Sequence, residues 1–144
     1  STCMRSYDKS ILRLLDACKR SLCGFILSED KKELERLCEA LLETANSGCF
    51  ITRKEIATIL IEVLQESREQ KIIPKIQNTD ILFVTDFEVM AGKERSQKIM
   101  YELLRQRFAE GKRSIVFSTR DVFDQDAYMI QIKILFELTD KFAI

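Results

Sequence analysis

The chain has 144 residues, 46% of them apolar, with only 4 glycines and 1 proline, which suits one compact domain with a real core and argues against long flexible linkers. Charged residues reach 32%, but 23 Lys and Arg offset 23 Asp and Glu, so no overall field draws in nucleic acid or an acidic membrane, and any such binding must come from a local patch. No run reaches the roughly 18 consecutive apolar residues of a membrane span and the start lacks the apolar stretch of a signal peptide, so the expectation is a cytoplasmic protein without a membrane partner.

In chain order, Ile11, Leu14, Leu15 and Cys18 repeat at helical spacing and predict an N-terminal helix over residues 7–21. The apolar run from Leu22 to Leu27 suits a buried strand, and Ser28 after it is a candidate helix N-cap. The helix that follows runs to about Ala45 with Leu34, Leu37, Cys38, Leu41 and Leu42 on one face, and Asn46-Ser47-Gly48 stops it. Cys49 to Thr52 reads as a second strand, and Arg53 to Glu66 as a third helix with Ile56, Ile59, Leu60, Val63 and Leu64 aligned. Ser67 to Thr79 is polar, holds Pro74, and is expected to be mostly connection.

The clearest strand is Asp80 to Asp86, a continuous apolar run between acidic ends. A helix opens near Arg95 and carries Ile99, Met100, Leu103, Leu104 and Phe108 inward, with Gly111 placed as its C-cap glycine. Ser114 to Ser118 is a fourth strand, a short helical piece is expected near Asp124 to Tyr128, and Ile132 to Leu138 is expected as a fifth strand. Continuous apolar strands alternating with helices imply an α/β fold, a parallel sheet covered on both faces in three layers. The division expected is one domain, residues 1–144, with 1–21 as the N-terminal helix and 22–144 as the sheet core.

The five cysteines (Cys3, Cys18, Cys23, Cys38 and Cys49) form no CxxC pair, and the chain has no histidine. The common zinc spacings are therefore missing. Cys18, Cys23, Cys38 and Cys49 fall in apolar positions and read as small core hydrophobes of a reducing compartment.

After the Asp80–Asp86 strand the chain reads Ala91-Gly92-Lys93-Glu94-Arg95-Ser96-Gln97, then a helix, a Gly111-Lys112 turn and the strand Ile115-Val116-Phe117-Ser118-Thr119. This order resembles the middle of the DnaA replication-initiator ATPase core, where an apolar strand ending in two aspartates precedes an AGKERTQ helix start. The likeness covers roughly residues 49–120. It implies an AAA+ or P-loop-like core with a five-stranded parallel sheet of order 5-1-4-3-2, here without the helical lid or the duplex-DNA-binding domain.

Measured against that resemblance, the nucleotide machinery departs. Ser28-Glu29-Asp30-Lys31-Lys32 stands where a glycine-rich phosphate loop belongs. Thr85-Asp86 replaces the aspartate pair, so threonine stands at the magnesium position; Asp86, with Glu88 beyond it, is the residue of the Walker B-like end. Ser118-Thr119-Arg120-Asp121 is a scrambled sensor segment, and the arginine-rich segment before the last strand is not recognisable near Met129 to Lys133. The expectation is a pseudo-ATPase with no catalytic residue, metal or cofactor.

Lys93, Arg95 and Ser96 match family positions that contact the backbone of single-stranded DNA, which the resemblance makes candidate nucleic-acid contacts. From Lys93 to Arg113 there are seven basic residues (Lys93, Arg95, Lys98, Arg105, Arg107, Lys112 and Arg113) against three acidic ones; Glu29 to Glu43 is the reverse, six acidic against three basic. The expected functions, in order, are a non-catalytic module for contact with a replication initiator, a helicase or a copy of itself; a single-stranded-DNA-binding accessory; and a weak ATP-binding protein.

Overall fold

A computed structural model describes residues 23–44, 48–64 and 69–137, together with the helical positions Lys9, Arg13 and Asp16. The three isolated positions are exposed and fall where the expected N-terminal helix turns its polar side; the rest of that helix lies outside the described residues.

Four strands form one parallel sheet: β1 (Cys23–Leu27), β2 (Gly48–Ile51), β3 (Ile81–Val84) and β4 (Arg113–Ser118), in the order β1-β4-β3-β2. This is the 1-4-3-2 portion of the order expected. The register pairs Phe25 with Val116, Phe83 with Ile115 and Phe50 with Phe83. Strand alternation divides the core between two faces. Ile26, Phe83, Ile115 and Phe117 meet Leu34, Leu37, Ala40 and Leu41 of helix α1 (Lys31–Thr44) on one face. On the other, Phe25, Leu82, Val84 and Val116 meet helices α2 (Arg53–Leu64), α3 (Ile72–Asn78), α4 (Glu94–Ala109) and α5 (Ala127–Glu137).

Helix α2 opens with half of a capping box: the Glu55 carboxylate accepts from the Thr52 backbone N–H at 3.1 Å and also from the Thr52 hydroxyl. Helix α4 closes on Gly111, at φ 72°, with Lys112 N–H donating back to the Arg107 carbonyl at 2.9 Å. The expected C-cap glycine is therefore in place.

Three expectations change. The fifth strand, Ile132 to Leu138, is instead helix α5, and there is no fifth strand among the described residues. Met129, Ile132, Leu135 and Phe136 of α5 are buried while Ile130 and Ile134 are exposed; with apolar side chains on both sides, an apolar run does not distinguish helix from strand. Of the short helical piece expected near Asp124 to Tyr128, Asp124 to Asp126 forms a turn and Ala127 and Tyr128 open that same helix.

The polar connection before β3 contains α3. Pro74 sits in its first turn, where a missing N–H matters little. The helix start is held from outside: Glu62, buried on α2, accepts from the backbone N–H groups of Lys71, Ile72 and Ile73 at 3.0–3.3 Å.

Candidate functional site

In parallel α/β sheets, ligands bind outside the carboxyl ends of the strands. Here those ends carry Ser28, Thr52, Thr85-Asp86 and Ser118-Thr119. Between them and α1 lies a cleft of about 480 Å³, lined in part by Leu34, Cys38, Asp86, Glu88, Phe117 and Thr119.

The turn from β1 into α1 is closed by its own side chains. Ser28 Oγ accepts from Asp30 N–H at 3.1 Å. Asp30 Oδ1 accepts from the N–H groups of Lys32 and Glu33 at 3.0 and 3.2 Å. Asp30, rather than Ser28, is the N-cap, and its carboxylate sits on the donors of the first helical turn.

At the end of β3, Thr85 continues the ladder by donating its N–H to the Ile51 carbonyl at 2.8 Å. Asp86 then turns into the left-handed region, at φ 55° and ψ 36°, and starts a 3-10 turn over Phe87–Met90. Aspartate tolerates this conformation better than most residues. The Thr85 hydroxyl donates to Asp86 Oδ2 at 3.3 Å. Glu88 reaches the end of β4, where Oε1 accepts the Thr119 hydroxyl at 2.7 Å; Oε2 is buried and has no hydrogen-bond partner among the described residues. The structure thus brings Asp86 and Glu88 to one cleft. Cys38 lines the same cleft, its thiol pushed up to about 12 by burial and then by the nearby Asp86, Glu35 and Glu39 carboxylates, so it stays protonated and unreactive.

Lys93, Arg95 and Ser96 lie apart from the cleft lining, at the start of α4. Lys93 and Arg95 are exposed and Ser96 is half-buried. Gly92, at φ 73°, makes the turn before them. Asp126 Oδ2 accepts from Gly92 N–H at 3.0 Å and from Gln97 Nε2 at 2.9 Å. Those two hydrogen bonds, Gly92 first, hold the Asp126 carboxyl below its ordinary range against the opposing effect of desolvation.

The seven basic residues of this region do not form one patch. Helix α4 has 16 residues and is therefore about 24 Å long, which sets Lys93, Arg95 and Lys98 near one end and Arg105, Arg107, Lys112 and Arg113 near or beyond the other. Arg107 is 1% exposed. Its guanidinium donates to Ser114 Oγ at 2.9 Å, to the Ile76, Thr79 and Arg113 carbonyls at 2.6 Å, and to the Asp80 carbonyl at 3.3 Å. Lys112 is held by Glu110 at 3.0 Å and by the Gln77 carbonyl at 2.5 Å. Sequence reasoning missed this structural role because a buried arginine with carbonyl partners has no local signature.

The parallel order β1-β4-β3-β2, with the candidate site residues at the strand ends, is that of a P-loop NTPase-like core of the AAA+ kind. Residues 38–132 match the family of the bacterial DnaA ATPase domain, and the chain belongs to that family. Among similar proteins, the chromosomal replication initiator DnaA of Geobacter sulfurreducens is 30% identical over 78 residues, 54% of this chain and 17% of the relative. The Geobacter metallireducens DnaA is 28% identical over the same length, with the same coverage. The chain therefore spans about a sixth of these relatives' length.

Solved structures agree on the fold. AMPPCP-bound DnaA from Aquifex aeolicus superposes with TM-score 0.73 at 17% identity, covering 94% of this chain and 44% of that one. Domain III of the Thermotoga maritima initiator gives 0.70 at 16%, covering 94% and 59%. A DnaA bound to AMPPCP and single-stranded DNA gives 0.72 at 16%, covering 98% and 47%. Among the described residues, no helix is long and apolar enough to cross a membrane.

Proposed function

We propose that this DnaA-family chain is a non-catalytic module that acts in DNA replication by contacting a protein: an initiator, a helicase or a second copy of itself. The observation that carries this is the Asp30 carboxylate on the Lys32 and Glu33 N–H groups. Those donors are what a phosphate at a helix N-terminus would use. An anionic nucleotide arriving there meets fixed negative charge, with Glu29 adjacent in sequence, while Asp86 and Glu88 line the cleft that begins at Lys31. The turn has no glycine, and Thr85 offers a neutral hydroxyl where the resemblance expects a magnesium carboxylate. These features do not fit a nucleoside triphosphate with its metal. Ile61 and Leu64 on α2, and Ile130 and Ile134 on α5, are exposed apolar side chains that a protein contact would cover.

Titration with a fluorescent ATP analogue and magnesium, alongside an ATPase assay, tests the loss of nucleotide function. The expected result is no saturable binding and no turnover. A rate that Asp86→Asn abolishes would overturn the proposal in favour of residual ATP use. Sedimentation of the protein alone and mixed with a full-length DnaA tests the partner, and a complex is expected in one of the two.

A second function, single-stranded DNA binding, is favoured by the exposure of Lys93 and Arg95 at the start of α4 and by the neighbour solved with single-stranded DNA. Anisotropy of a labelled oligonucleotide at low and moderate salt tests it, with Lys93→Ala/Arg95→Ala as the control. Salt-sensitive binding lost in that variant would establish it.

A further inference from the structure

A groove of about 460 Å³ lies between α2, α3 and α4, on the face of the sheet away from α1. Val63, Ile73, Ile99 and Leu103 give it an apolar lining. Glu102 and Arg105, three residues apart on α4, line it as well and are exposed.

An apolar ridge stands beside the groove. Ile61 is 50% and Leu64 53% exposed, and their spacing puts them on one face of α2. Val63, between them in sequence, is itself 37% exposed and lines the groove. Ridge and groove therefore meet at the C-terminal half of one helix. That adjacency decides how copies of the chain can join. A knob and a pocket on different sides of a molecule link copies head to tail into open chains, whereas a knob and a pocket on one patch are related by a two-fold axis and close at two copies.

We propose that this patch joins two copies of the chain across a two-fold axis near Val63, with Ile61 and Leu64 of each copy seated in the groove of the other. Charge favours a second copy as the occupant. The axis sets Glu102 of one copy against Arg105 of the other, twice over, so a rim that carries both signs is complementary to itself. With 23 basic and 23 acidic residues, the chain has no net charge to drive copies apart. A standard interface takes about 800 Å² per partner, roughly a tenth of the 8533 Å² that the chain exposes, so one flank of the molecule provides it. The inference rests on the protein-contact function proposed above and selects the second copy among its partners.

Sedimentation equilibrium of the full chain up to about 1 mM tests this. Leu64→Glu puts a charge on an exposed ridge residue, so the fold is preserved. Ile130→Ser/Ile134→Ser removes the exposed apolar pair of α5 and is the control. The expected result is a monomer–dimer equilibrium, weakened roughly tenfold or more by Leu64→Glu and unchanged by the control. Glu102→Arg and Arg105→Glu, both at exposed positions, should each weaken the dimer. An equimolar mixture of those two variants should associate again, because every charged contact across the axis then joins opposite signs. A monomer at all concentrations, a dimer that Leu64→Glu leaves intact, a dimer that the α5 control abolishes, or a mixture no tighter than its components overturns the inference. A monomer that still sediments with full-length DnaA overturns the inference and leaves the proposed function standing. A dimer with the expected properties, in a protein whose ATP turnover Asp86→Asn abolishes, upholds the interface and overturns the proposed function.

Discussion

Asp126, at the entrance to α5, accepts the Gly92 backbone N–H at 3.0 Å and thereby fastens the turn before α4 to a segment 34 residues further along the chain. The same oxygen holds Gln97 Nε2, whose other hydrogen bond goes to the Met90 carbonyl at 2.8 Å. One carboxylate thus fixes the approach to Lys93, Arg95 and Ser96.

The Asp126 carboxyl is held below its ordinary range by the Gly92 and Gln97 hydrogen bonds. A group whose pKa is lower in the folded state stabilises the fold above its unfolded value, and that contribution is lost as pH falls through the folded value. Asp126→Asn should lower Tm by a few degrees at neutral pH and flatten the loss of stability on acidification. Thermal melts of both proteins across the acidic range check this; superimposable pH profiles would rule it out.

Glu62 gives a second acid-sensitive cap. Burial alone would raise its carboxyl, but the Ile72, Lys71 and Ile73 N–H groups outweigh burial and hold it below the ordinary glutamate range. Its stabilising effect is present at neutral pH and disappears as pH falls through that lowered value. Glu62→Ala leaves the three donors at the start of α3 without this acceptor and should cost about 1–2 kcal/mol. Urea denaturation at neutral pH measures the loss, and hydrogen exchange should locate it in residues 71–78.

Gly111 sits at φ 72° with open space around the position of a side chain. Gly111→Ala should therefore introduce backbone strain without a clash and cost about 1 kcal/mol. A larger loss in chemical denaturation would mean that packing, and not conformation, fixes the glycine.

The strands and the long amphipathic helices were legible because their signals are local. The run Ile81 to Val84 is unbroken, and Ile56 with Ile59 marks one face of α2. What escaped is held together over distance. Helix α3 owes its start to Glu62 on the preceding helix, and its polar, proline-containing sequence alone reads as connection. Helix α5 is apolar on both its buried and exposed sides, so periodicity could not distinguish it from a strand. At the candidate site, the positions of Asp86 and Glu88 followed from the strand end before them. The Asp30 cap is not legible locally: from the sequence Ser28 reads as the N-cap, and the hold of Asp30 on the Lys32 and Glu33 N–H groups shows only in the fold. The orphaned Glu88 oxygen depends on Thr119 and on packing that only the folded chain supplies.

Arg107 is the sharpest case of a charge whose role differs from its appearance in the sequence. Its guanidinium gathers the carbonyls of Ile76, Thr79, Asp80 and Arg113 with the Ser114 hydroxyl. It thus joins the C-terminal end of α3 to the starts of β3 and β4. A cation suits the carbonyl end of a helix, and five donors in a fixed fork can serve acceptors on three elements. Arg107→Ala would leave buried carbonyls unpaired and should cost roughly 3 kcal/mol or more, lowering Tm by about 10 °C. Arg107→Lys retains the charge but not the fork and should fall between the two. Oligonucleotide binding gives the readout that separates structure from surface charge: at temperatures where the lysine variant remains folded, it should bind labelled single-stranded DNA as the wild type does. A selective loss of DNA affinity in a folded Arg107→Lys protein would add Arg107 to the candidate contacts Lys93, Arg95 and Ser96.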